Sequence, residues 1–98
     1  MKLDDIPKEF SSQLRIAIIS TLVNKKMVFS ELKEETGATD GNLSVQLKKL
    51  TEWGMISSKK ILVSDKLSTL YSLTDYGLTE FESYVLLLES IFKNTDDE

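Results

Sequence analysis

The sequence predicts a mainly α domain with one small β-hairpin, in the order helix, helix, helix, hairpin, helix. Three observations carry this. Apolar residues recur at three- and four-residue spacing through 13–24, 43–50 and 78–92. Capping residues and glycines punctuate those runs where helices begin and end. Only 55–73 breaks the period, into β-branched, aromatic and alternating residues on either side of a VSDK turn. The chain has 98 residues, 41% of them apolar and 29% charged, which is the composition of one folded domain spanning 1–98.

The first helix is expected over about 11–24, with Ser11 or Ser12 as its cap and "QLRIAIISTLVN" as its body. Leu14, Ala17, Ile18 and Leu22 share one face, and Ile16, Ile19 and Val23 line the adjacent one, so more than half the circumference is apolar. Met27 to Phe29 can form a short strand on the way to the second helix, about 30–36. Ser30 is the expected cap of that helix and Gly37 its stop. Thr39 caps a third helix running to about Trp53, and Gly54 ends it. The hairpin follows over 55–73. Thr74 then caps a last helix over about 75–93, after which "NTDDE" is expected to fray.

Composition removes several function classes. The chain has no cysteine and no histidine, which excludes disulfides, zinc centres, thiol redox sensing and histidine-based catalysis. Ser30 and Lys33 match an S-x-x-K pattern, but the partner motifs of that catalytic class are absent. Carboxylate-only metal sites and Ser–Lys chemistry stay open on composition, but no constellation of catalytic residues is visible, and no enzyme, cofactor or metal is expected. No apolar run is long enough to span a bilayer, and "MKLDDIPKEF" has acids where a leader needs bases, so a cytoplasmic location is expected.

The net charge of −4 hides an asymmetry. Residues 1–36 carry six bases and six acids. Residues 37–66 carry five bases (Lys48, Lys49, Lys59, Lys60, Lys66) against three acids, for +2, and residues 67–98 carry one base against seven acids, for −6. The middle third is the positive part, and it contains the third helix and most of the hairpin.

At about 100° per residue, Leu43, Leu47 and Leu50 form a narrow apolar stripe on the third helix. Gln46 sits at its edge. Opposite lie Gly41, Val45, Lys48 and Glu52, flanked by Asn42, Ser44 and Lys49. That outer face is flat at its N-terminal end and basic in its middle, which suits the major groove of double-stranded DNA. Gly41 permits close approach, and the amides at the helix start, behind Thr39, favour a phosphate. Asn42 can pair with adenine, Ser44 can reach a base edge, and Val45 can pack on a thymine methyl. Lys48 and Lys49 can neutralise phosphates. A short helix, a turn and this helix make the helix-turn-helix order, and a hairpin bearing Lys59, Lys60 and Lys66 follows directly.

The stretch "FSELKEETGATDGNLSVQLKKLTEWGMISSKK…TLYSLTDYGLTEF" resembles the winged helix-turn-helix transcriptional regulators, broadly the MarR/ArsR-like group. The likeness is to small single-domain members with F-x-E-L, G-N-L-S-x-H-L-x-x-L, G-x-I and T-x-Y-x-L-T-x-x-G, and it covers about residues 10–90. It implies that Thr39–Leu50 is the recognition helix, that the 55–73 hairpin is a wing on flanking backbone or minor groove, and that the outer helices make a homodimer. Repression is the commoner outcome in this group. The chain departs from the pattern at Gln46, where the pattern has histidine, and at the wing tip, where Asp65 and Lys66 stand without an arginine.

On the last helix, Leu78, Phe81, Val85, Leu88 and Phe92 are spaced 3, 4, 3, 4, and Tyr84, Leu87 and Ile91 form a second line about 100° away. One line can cover the domain's own core. The second, with Ile16, Ile19 and Val23 of the first helix, is expected to meet a second copy, unless both lines belong to one wide core-facing stripe. Such a dimer would read a pseudo-palindromic operator with half-sites one helical turn apart. A small-molecule effector at the dimer junction is compatible with the sequence, which names no ligand. The alternative reading is a winged-helix module that binds another protein and no DNA.

Overall fold

The computed structural model describes residues 2–96. Two short 3-10 turns, Leu3–Asp5 and Lys8–Phe10, lead into α1, Gln13–Asn24. Then follow β1 (Met27–Val28), α2 (Phe29–Thr36), α3 (Asp40–Glu52), β2 (Ile56–Val63), β3 (Lys66–Leu73) and α4 (Asp75–Asp96). This is the predicted order. The strands form one antiparallel sheet in the order β1-β3-β2, with Met27 opposite Tyr71 and Ile56 opposite Leu73. The hairpin therefore gains a third strand, and β1 ties it back to the start of α2. No helix among the described residues is long and apolar enough to cross a membrane.

Local signals set most boundaries. Ser12 caps α1 by accepting from the Arg15 N–H at 3.3 Å. Thr39 caps α3 by accepting from Asn42 N–H at 3.2 Å. Gly54, at φ 75°, turns the chain out of α3 in the left-handed region that glycine occupies without steric cost. The Ser30 cap is not formed. α2 begins one residue earlier, at Phe29, and the N-cap is Val28, whose side chain has no acceptor. Glu31 instead reaches back and accepts from the Val28 N–H at 3.1 Å, which is half of a capping box. α4 runs three residues past Lys93, to Asp96, and the remainder of the expected frayed tail, 97 and 98, lies outside the described residues.

The core joins Phe10, Ile18, Ile19, Leu22, Leu32, Leu43, Leu47, Leu50, Met55 and Ile56. Each fully buried Leu or Ile contributes about 1.5–3 kcal/mol relative to an exposed one. Three expected dimer residues are claimed by this core. Ile19 is fully buried inside its own subunit, because α1 is covered on two sides, by α2–α3 and by the sheet. Ile16 packs partly against the same cluster. Tyr84 stacks on Phe10, centroids 4.6 Å apart, because the N-terminal turn folds across α4. Leu87 is half-buried, while Val23 and Ile91 face solvent.

The start of α4 is locked to the end of α3. Thr74 Oγ1 accepts from the Gly77 N–H at 2.9 Å and lies 2.6 Å from the Gly54 carbonyl and 3.0 Å from that of Met55. Gly77 packs so closely on the Met55 carbonyl that no side-chain carbon fits between them. The "T-D-Y-G" stretch is thus a structural clamp.

Candidate nucleic-acid interface

α3 docks by the three predicted leucines. Leu43, Leu47 and Leu50 are buried, while Gly41, Asn42, Ser44, Val45, Lys48, Lys49 and Glu52 are all exposed. The face opposite the stripe is therefore not used inside the subunit. Gly41 is the clearest case. A Cβ placed there would meet nothing within 4 Å, so no packing contact within the domain requires the glycine. Thr39 is exposed, but its hydroxyl oxygen is already engaged in the cap. An ion pair of 2.9 Å between Lys33 on α2 and Asp40 joins the two helices across the turn. It is well exposed and contributes little to stability.

The sheet lies beside α3 on one edge. Ser44 and Lys48 share a cleft with Thr51, Glu52, Ser58 and Tyr71, so β2 and β3 leave the body next to the exposed helix face. Burial pushes the Tyr71 phenol above its ordinary pKa, so it stays neutral across the physiological range. Further out, Lys59, Lys60 and Lys66 are exposed. Lys60 Nζ donates to Thr69 Oγ1 of its cross-strand partner at 2.8 Å. At the tip, Ser64 and Asp65 both have positive φ (50° and 66°), the pairing a two-residue type I′ turn demands. One pair behind the polar turn, Leu62 is 72% exposed and Leu67, opposite it, 68%.

On the other edge of α3 lies a group that the sequence reasoning missed. Arg15 of α1 is only 9% exposed, and its guanidinium bonds Gln46 Oε1 at 2.7 Å. An arginine in an apolar helix reads as a surface residue from sequence alone. The signal that could have marked it is its place between Leu14 and Ile16, one turn below the buried Ile18.

A two-helix turn unit that presents its second helix outward, with a hairpin emerging alongside, defines the winged helix-turn-helix class of nucleic-acid readers. Residues 14–92 match the winged helix DNA-binding domain family, and the chain belongs to that family. An uncharacterized protein of Methanocaldococcus jannaschii is 33% identical over 90 residues, which are 91% of this chain and 98% of that one. Among solved structures, a transcriptional regulator homologue from Pyrococcus horikoshii aligns with a TM-score of 0.76 at 25% identity, covering 85% of this chain and 83% of its own. A transcriptional regulator of the MarR family from Porphyromonas gingivalis aligns with a TM-score of 0.65 at 26% identity, covering 86% and 78%. Family and fold are those of DNA-binding transcriptional regulators and not of enzymes.

Proposed function

We propose that the protein is a homodimeric transcriptional repressor that reads a pseudo-palindromic operator. α3 enters the major groove, and the β2–β3 wing lies on the flanking backbone. The observation that carries this reading is the free outer face of α3: Gly41 without a packing role, and Asn42, Ser44 and Val45 exposed ahead of Lys48 and Lys49. In the groove, Asn42 and Ser44 would meet base edges, Val45 a thymine methyl, and the lysines phosphates. Lys59, Lys60 and Lys66 would extend the phosphate contacts along the wing.

The dimer half of the proposal rests on α4. Leu78, Val85, Leu88 and Phe92 are 37%, 38%, 37% and 72% exposed, a row of large apolar side chains along one helix. Val23, at 40%, adds to it from α1. With Tyr84 held by its own subunit, this row replaces the Tyr84 line as the proposed twofold contact. The −6 charge of residues 67–98 would keep that end of the molecule away from DNA. Bound across a promoter, such a dimer would exclude the transcription machinery.

Selection from a random duplex library with the purified chain tests the proposal. The expected product is an inverted repeat with half-site centres about 10–10.5 base pairs apart, or a multiple of that. Failure to enrich any sequence, together with affinity that ignores salt, refutes it. A second reading, a protein-binding module, is favoured by the exposed Leu62–Leu67 pair behind the wing turn and is the one that outcome supports.

A further inference from the structure

Arg15 is a buried cation with no carboxylate beside it among its described partners. Its Nη2 donates to the Lys8 carbonyl and to Ser11 Oγ, both at 3.0 Å, its Nε to the Glu9 carbonyl at 3.3 Å, and its Nη1 to Gln46 Oε1. Its Cζ lies 5.3 Å from the centroid of the Trp53 ring, which Lys8 Nζ also approaches at 4.9 Å. Three of these bonds pin the guanidinium to the N-terminal segment, and Phe10 in that segment stacks on Tyr84 of α4. The fourth reaches across to the recognition helix. A guanidinium only donates, so it fixes which way the Gln46 amide points. The oxygen must face Arg15, and the NH2 group must face away from it.

Gln46 is half-buried and lies one turn from Asn42 in one direction and from Lys49 in the other, both exposed. It sits roughly 100° around the helix from Val45 and roughly 140° from Gly41, at the edge of the leucine stripe and beside the exposed Asn42 and Lys49. A donor at that edge is placed for the sugar–phosphate rail and not for the base floor. We infer that Gln46 is a DNA-contacting residue whose Nε2 donates to a backbone phosphate, and that Arg15 is a positioning residue that orients the amide for it. The inference rests on the proposed DNA binding and adds the side chain that faces one rail of the duplex.

The pattern's histidine at this position fits the same role. A neutral imidazole has one acceptor nitrogen to meet Arg15 and one N–H to turn outward. Methionine matches glutamine in length and offers neither.

The test uses the full chain, its selected duplex and an unrelated duplex, read by fluorescence anisotropy at pH 8. Gln46→Met is expected to weaken binding about tenfold on both duplexes, since a bond to phosphate carries no sequence information. Gln46→His is expected to stay within about threefold of the unsubstituted chain. In a double-mutant cycle, Arg15→Met weakens binding about tenfold on its own and adds almost nothing in the Gln46→Met background, while its loss of thermal stability appears in both. Unchanged affinity for Gln46→Met overturns the contact. A loss confined to the selected duplex overturns the phosphate assignment. Full additivity overturns the positioning role of Arg15. Should Arg15→Met fail to fold, the two Gln46 variants still decide the contact. An unsubstituted chain that binds neither duplex refutes DNA binding itself, a result distinct from all of these.

Discussion

Gly41→Ala separates folding from DNA binding at a single carbon atom. Gly41 is the second residue of α3, and a Cβ there meets nothing in its own subunit within 4 Å. The substitution has no clash to create, and it removes the backbone entropy that glycine loses in a helix, so it should stabilise the domain by about 0.5–1 kcal/mol. For a domain of this size that raises the midpoint of thermal unfolding by about 2–8 °C. In the complex the same methyl group would project toward the groove floor from the flattest part of the outer face. Overpacking at a fitted contact costs about 1–3 kcal/mol, a fall of roughly 5- to 150-fold in affinity. Circular dichroism melts and anisotropy titrations on the selected duplex measure the two effects on one preparation. A protein that becomes more stable while binding DNA as tightly as before would refute the placement of this helix end in the groove. A fall in stability would show that the glycine serves the fold.

Three further outcomes follow from the same geometry. Lys48→Ala with Lys49→Ala should weaken binding to all duplexes and flatten the plot of log affinity against log salt by about 0.9 for each phosphate no longer neutralised, which titrations between roughly 50 and 200 mM salt resolve. Gly77→Ala should destabilise the chain by about 1–3 kcal/mol or more, visible in denaturant melts, because the obstructing atom is the backbone carbonyl of Met55 and cannot swing aside. Val85→Glu should yield a folded monomer by light scattering, since Val85 is 38% exposed and its burial is proposed only in the dimer, and a dimeric variant would remove that row as the twofold surface.

The parts of the fold visible in the sequence are those decided within one turn of helix. Thr39 and Thr74 each serve as a cap, and Gly37 and Gly54 each adopt positive φ, because these residue types solve a local problem at a helix end. The Leu43–Leu47–Leu50 stripe is equally legible, since a narrow apolar line on a polar helix has one way to face. Ser30 misleads because the cap is supplied from the other side, by Glu31 reaching back to Val28. The β1–β3 pairing depends on residues more than forty apart and leaves no local mark. On α4, spacing alone cannot rank two apolar lines, since Phe10, which settles the position of Tyr84, comes from a short 3-10 turn far away in sequence. The same holds for α1, where Ile19 faces inward because neighbours cover a second side of the helix.

How the proposed recognition helix is held matters as much as what it displays. A dimeric reader works only if α3 keeps a fixed attitude to the twofold contact, because half-site spacing is set by the distance between two copies of α3. Two independent ties link α3 to α4 here. At the C-terminal end of α3, Thr74 and Gly77 seize the Gly54 and Met55 carbonyl region directly. Along its middle, Gln46 is joined through Arg15 to the Lys8–Ser11 segment, and Phe10 carries that link on to Tyr84 and to Phe81, 5.8 Å away. The first tie combines the Thr74 hydroxyl with a close backbone approach of Gly77 to the Met55 carbonyl. The second passes through the side chains of Gln46, Arg15, Phe10 and Tyr84, and Phe10 is itself part of the core. Arg15, bonded to Gln46, and Lys8, over the ring of Trp53 at the end of α3, both join the N-terminal turn to that helix, so a change at the turn has side-chain routes to α3 through these two residues.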